Sequence, residues 1–129
     1  MAIALIDVDR FKRINDSHGH RAGDSVLKTF ADTARQALRS TDMLARWGGE
    51  EFLLMLPETS PEQALNSIER LREAVAGARF DTAAAGLSVT FSVGLSACEG
   101  EGPIKMCIDR ADQAMYRAKT QGRNCTALN

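Results

Sequence analysis

The sequence predicts an α/β (α+β) domain with a ferredoxin-like or polymerase-palm βαββαβ core, its central, mostly antiparallel sheet flanked by helices. Three observations predict it. Leu87, Val89, Phe91, Val93 and Leu95 alternate with Ser88, Thr90, Ser92, Gly94 and Ser96, the period of a half-buried strand. Two short apolar runs, Met43 to Trp47 and Phe52 to Leu56, are separated only by Gly48-Gly49-Glu50-Glu51, which suits a hairpin whose tip takes positive φ. Apolar residues recur at helical spacing before, between and after these strands.

In chain order, Ala2 to Val8 is an apolar run ending in acid, as in a buried strand. Phe11 to Asp24 reads as a polar, glycine-containing connection, and a helix follows from about Arg21 to Leu38 with Val26, Leu27, Phe30, Ala31, Ala34 and Leu38 on one stripe. After the hairpin, Ser60-Pro61-Glu62-Gln63 predicts a helix start: Ser at the N-cap, Pro at the first helical position and Gln closing a capping box. Leu65, Ile68, Leu71 and Val75 continue that helix, and Gly77 ends it. Glu99 to Pro103 is a loop, Ile104, Ile108, Ala111, Met115 and Ala118 mark a last helix that breaks near Gly122, and Asn124 to Leu128 is a closing edge strand.

Composition narrows the function classes. The 129 residues suit a single domain. Hydrophobic residues at 44% and charged residues at 26% exclude a disordered or collagen-like chain. Sixteen Lys and Arg against 17 Asp and Glu leave a net charge of −1, which argues against a phosphate-tracking nucleic-acid binder. No run of about 20 apolar residues and no signal peptide is present, so no direct membrane contact is expected. Cys98, Cys107 and Cys125 form an odd set without CxxC spacing, which supports neither a disulfide framework nor a zinc knuckle and points to a reducing, cytoplasmic setting. A strand that begins at residue 2 suggests a piece of a longer protein.

Two acidic spots carry the chemistry. Asp7 and Asp9 end the first strand, where period two points both to one face, and Glu50 and Glu51 sit at the hairpin tip. Either spot alone reads as solvated turn acids. In a βαββαβ sheet, however, the first strand and the hairpin are neighbours, and clustered carboxylates without a matching cation repel. Together they point to a hard divalent cation such as magnesium, held by one or two carboxylates and substrate phosphates. His18 and His20 lack a third ligand at zinc spacing.

The ordered blocks Asp7-Val8-Asp9-Arg10-Phe11-Lys12-Arg13-Ile14-Asn15-Asp16, Gly19-His20, Gly23-Asp24 and Arg46-Trp47-Gly48-Gly49-Glu50-Glu51-Phe52 resemble the GGDEF domain of diguanylate cyclases. Thr90-Phe91-Ser92-Val93-Gly94, Ala111 to Lys119 and Gly122-Arg123-Asn124 match the family's later blocks, so the likeness runs over the whole chain, residues 1–129. It implies a nucleotidyl-cyclase-like fold and condensation of two GTP into cyclic di-GMP with release of pyrophosphate, by two domains facing each other as a homodimer. By this resemblance Asp7 and Glu50 ligate Mg2+ (or Mn2+) through their side chains and Val8 through its carbonyl. Glu50 or Glu51 helps to deprotonate the attacking hydroxyl, and Lys12 stabilises the reacting phosphates. Lys119 and Arg123 contact the terminal phosphate, while Asn15 and Asp24 hold guanine with His20 lining the same cleft. A carboxylate accepts from guanine's ring N–H and amino group, and adenine offers no such ring N–H. Arg39-Ser40-Thr41-Asp42 has the RxxD form of the family's product-inhibition site, and Arg70 falls where a second arginine joins it.

Two departures stand out. Glu50 replaces the family's usual Asp, a variant that active members carry, and the leading helix with its DxLTxLxNRR stretch is not in the sequence. A larger bacterial signalling protein, cytoplasmic or membrane-anchored, is the expected parent, and the isolated piece is expected to have low activity. Two other readings compete: a non-catalytic module that binds GTP or cyclic di-GMP, and an ATP-using palm cyclase. The acids at Asp7, Glu50 and Glu51 count against the first, and Asn15 and Asp24 against the second.

Overall fold

The computed structural model describes residues 1–80, 87–100 and 102–129. Its elements are β1 (Ala2–Val8), α1 (Phe11–His18), α2 (His20–Ala37), β2 (Met43–Arg46), β3 (Glu51–Leu56), α3 (Pro61–Gly77), β4 (Phe91–Ala97), α4 (Ile104–Thr120) and β5 (Thr126–Leu128). The strands form one sheet in the order β2-β3-β1-β4-β5. β1 pairs antiparallel with β3 and β4, β2 antiparallel with β3, and only the edge pair β4–β5 is parallel. The mixed, mostly antiparallel sheet flanked by helices agrees with the sequence.

Burial on both faces explains how the layers are held. Every residue of β1 is buried. Ala2, Ala4, Ile6 and Val8 face a cluster with Val26, Phe30, Ile68 and Leu71 of α2 and α3. Ile3 and Leu5 face Cys107, Ala111 and Met115 of α4 instead. Phe30 anchors the first layer, with ring centroids 5.1 Å from Phe52 and 5.3 Å, edge-on, from Phe91. On the second layer α4 approaches so closely that a Cβ on Gly94 would collide with the backbone at Ala111 and Met115. The alternation along β4 is therefore that of small against large residues, not wet against dry. Ser92 and Ser96 are as buried as their apolar neighbours.

That corrects the half-buried expectation, and β4 begins at Phe91 rather than Leu87. The connection from Phe11 to Asp24 is also corrected: it is helical, split into α1 and the first turn of α2 at Gly19, whose φ of 90° few other residues adopt. Ile14 supplies the apolar anchor of α1. At the hairpin, Gly48 and Gly49 do not take positive φ. Trp47 N–H and Gly48 N–H instead both donate to Glu51 O, at 2.8 and 3.3 Å, closing a wider tip. Small size is what Gly48 supplies, since a Cβ would lie 3.3 Å from Glu51 Oε2.

The start of α3 is as predicted: Gln63 N–H donates to Ser60 Oγ at 3.2 Å and Ser60 N–H to Gln63 Oε1 at 3.0 Å. The closing strand is shorter than expected, Thr126–Leu128. Within the predicted loop from Glu99 to Pro103, Glu101 lies outside the described residues. The cysteine reading is overturned in part. Cys98 at the end of β4 and Cys107 in the first turns of α4 form a disulfide across Cα atoms 5.5 Å apart, while Cys125 is free. Spacing alone hid the pair, because the loop folds α4 back onto the strand that precedes it.

Candidate active site

The end of β1 and the tip of the β2–β3 hairpin meet. Asp7 is in register with Glu51, and Val8 N–H donates to Glu50 O at 3.2 Å. Arg46, at the end of β2, donates from Nε and Nη2 to Gly49 O at 3.0 and 2.8 Å, which fixes the carbonyl just before Glu50. The sequence motif contained Arg46 without assigning it a task; a guanidinium three residues before a tip glycine was the available signal.

Lys119, in the last turn of α4, donates from Nζ to Asp7 Oδ2 at 2.6 Å. Burial pushes the Asp7 carboxyl above its usual range; Lys119 opposes this, and Glu50 and Asp9 add to it. Glu51 is raised as well, by burial first and then by Asp7, with Asp112 and Glu50 adding and Lys119 opposing. The acids therefore feel one another, as their clustering required.

Asp9 has a different job from its neighbour. It accepts from Thr90 Oγ1 at 2.7 Å, Ser92 Oγ at 2.6 Å and Asn124 N–H at 3.0 Å. Those bonds join the end of β1 to β4 and to the turn before β5, and they occupy three of its roughly four lone-pair sites. Among the described residues, no three His, Cys, Asp or Glu side chains gather as a metal cluster. What the fold does offer is two carboxylates, Asp7 and Glu50, beside the Val8 backbone. That all-oxygen set fits a hard cation that completes its shell with phosphate oxygens and water.

Lys12 is exposed on α1, His20 is exposed at the start of α2, and Arg123 follows α4 in the left-handed backbone region (φ 64°). The Asn15 side-chain oxygen is buried without a hydrogen-bond partner. Asp24 lines a cleft of about 430 Å³ together with Leu27, Arg35, Arg46 and Phe52, a lining that includes neither Asn15 nor His20. Arg39 lies apart from the acids. It pairs with the Asp42 side chain at 3.1 Å and also reaches Thr59 Oγ1 at 2.7 Å and Pro57 O at 3.3 Å. Arg70, on α3, donates to Ser67 Oγ at 3.1 Å.

Residues 1–125 match the family described as diguanylate cyclase, GGDEF domain. The chain belongs to the GGDEF family. It is 48% identical over 124 residues to diguanylate cyclase DgcP of Pseudomonas aeruginosa, a match that covers 96% of this chain and 18% of that protein. The structure of diguanylate cyclase SiaD in complex with its activator SiaC, also from Pseudomonas aeruginosa, superposes with a TM-score of 0.95 at 39% identity, over 99% of this chain and 49% of that one. The active GGEEF domain of a diguanylate cyclase from Vibrio cholerae superposes with a TM-score of 0.88 at 34% identity, over 98% of this chain and 81% of that one. The chain spans between 18% and 29% of the first curated relatives it matches. The Vibrio cholerae domain shares with this GGDEF domain the glutamate at the third motif position, here Glu50.

Proposed function

We propose that this GGDEF domain, as part of a larger signalling protein, condenses two GTP into cyclic di-GMP. The observation that carries the reading is the meeting of Asp7 and Val8 with Glu50 across two paired strands, in a chain that belongs to the diguanylate cyclase family. Each domain holds one GTP, and two domains face each other. The ribose 3′-oxygen of each GTP forms a bond to the α-phosphorus of the other, the bond from each α-phosphorus to its pyrophosphate oxygen breaks, and two pyrophosphates leave. The hydroxyl proton passes to the carboxylate of Glu50 or Glu51.

Asp7, Glu50 and the Val8 carbonyl hold Mg2+ or Mn2+, which when bound neutralises phosphate charge and makes the hydroxyl easier to deprotonate. Lys12 offsets charge at the reacting phosphates, and Lys119 and Arg123 take the terminal phosphate. Asn15 and Asp24 bind the guanine edge with His20 beside them. The buried, unpartnered Asn15 oxygen supports this, since such an acceptor is costly and turning the amide toward a bound base would give it a donor. Arg39 and Asp42, with Arg70, form the site at which cyclic di-GMP inhibits. Among the described residues no helix is long and apolar enough to cross a membrane.

Incubating the full-length parent with GTP and Mg2+ and looking for cyclic di-GMP by mass spectrometry tests the reading. The expected result is product from the wild type and none from Glu50→Gln. GTP binding without product in the wild type would replace the cyclase with a binding module.

A further inference from the structure

The most deeply placed acid of the site is neutralised from far along the chain. Lys119 lies 112 residues from Asp7, yet its Nζ is 2.6 Å from Asp7 Oδ2. The two partners differ in freedom. Asp7 is 7% exposed and sits on a strand paired on both sides, to Glu51 and to Ser92, so its carboxylate cannot move far. The Lys119 side chain is 34% exposed on a flexible four-carbon stem. It belongs to the last turn of α4, where the helix carbonyls offer a cation a second favourable position.

We propose that Lys119 competes with the divalent cation for the Asp7 carboxylate. The domain then takes the cation weakly by itself, and tightly once nucleotide phosphates draw the ammonium away. The second half rests on the GTP reading above. An oxygen that accepts a hydrogen bond from an ammonium at 2.6 Å has that lone pair engaged, and two positive charges sharing one carboxylate repel. Asp9 is the poorer stand-in, because Thr90, Ser92 and Asn124 hold its carboxylate and occupy three of its roughly four acceptor sites. A polyphosphate offers several anionic oxygens to a lysine that binds as a point charge. Moving Lys119 there frees Asp7 and exposes the mutual repulsion of Asp7, Glu50 and Glu51, which a divalent cation relieves. The coupling is reciprocal: the factor by which GTP tightens the cation is the factor by which the cation tightens GTP.

The test titrates Mn2+ into the protein without nucleotide and follows the free-ion electron paramagnetic resonance signal. Lys119→Met is expected to bind Mn2+ about tenfold tighter than the wild type, the effect of removing one positive charge beside the site in screened solution. Lys119→Arg, which keeps the charge, should bind no tighter, and adding Asp7→Asn to Lys119→Met should undo the gain. Lys119→Gln repeats the charge removal should the Met variant fail to fold. With GTP present, Mn2+ affinity should rise in the wild type and rise less in Lys119→Met. Equal Mn2+ affinity of wild type and a folded, uncharged Lys119 variant without nucleotide would overturn the proposal. Tighter Mn2+ in that variant, with GTP binding to neither protein, would keep the competition and remove the GTP reading.

Discussion

The side-chain oxygen of Asn15 lies against the Cα of Gly23, and between them there is no room for a methyl group. α1 and α2 are thus held so that an unpartnered acceptor stays buried against the residue that precedes Asp24. Gly23→Ala is expected to push the Asn15 amide out of position with little loss of fold, since alanine favours a helix over glycine. GTP affinity should fall by about tenfold or more, the worth of a buried hydrogen bond or two. Isothermal titration of GTP checks this, and unchanged affinity would remove Asn15 from base recognition.

Asp7 and Glu51 both bind their protons more tightly in the folded protein than when unfolded. Their contribution to stability is therefore greatest with the proton on, and it is lost as pH rises from the usual carboxylate values (3.8 for Asp7) through the raised folded ones. Asp7→Asn removes the Asp7 part of this slope. Urea unfolding should show the variant gaining on the wild type between pH 4 and pH 7. The lysine left behind is part-exposed and returns to water at little cost. An identical pH slope in both proteins would contradict the assignment.

Asp9→Ala should behave in the opposite way to Asp7→Asn. It leaves three donors without their acceptor, including the buried Ser92 hydroxyl. A loss of about 2–4 kcal/mol in urea unfolding is expected. A loss below about 1 kcal/mol would mean that water replaces Asp9 easily.

Arg39→Ala should relieve inhibition by cyclic di-GMP in the active parent while leaving the initial rate nearly intact. Its bonds to Pro57 O and Thr59 Oγ1 tie the turn after α2 to the turn before α3, so a stability loss of about 1 kcal/mol should accompany the relief. Initial rates measured against added cyclic di-GMP separate the two effects. A fall in the uninhibited rate would place Arg39 in the fold rather than in regulation.

The strands and the long helices were legible because each is set by its own period or cap: the stripe of α2, the capping box of α3, the apolar run of β1. What was not legible depended on contacts between distant segments. α1 is short and mostly polar, and only Phe11 and Ile14, three residues apart, betray it. The serines of β4 looked solvent-facing because their burial depends on α4 settling over Gly94. For the site, the pairing of β1 with the hairpin followed from topology, and Asp7 met Glu51 as expected. Asp9 and Lys119 were harder. Both are polar residues whose partners, Ser92 and Asp7, lie 83 and 112 residues away, and sequence spacing carries no trace of such pairs.

Gly94 has a kinetic consequence. Because α4 rests on bare strand backbone at Gly94, with the side chains of Ile3, Leu5 and Leu53 packed beside that contact, sliding the helix would drive it into the strand or break a close-packed layer. Any response at the Lys119 end must then be made by rotation about side-chain bonds, which takes picoseconds to nanoseconds where the residue reaches solvent. Rigid-body adjustment of packed elements is slower by several orders of magnitude. On the cyclase reading, a nucleotide reaching Lys119 would wait on the turning of one side chain and not on a shift of the helix that carries it.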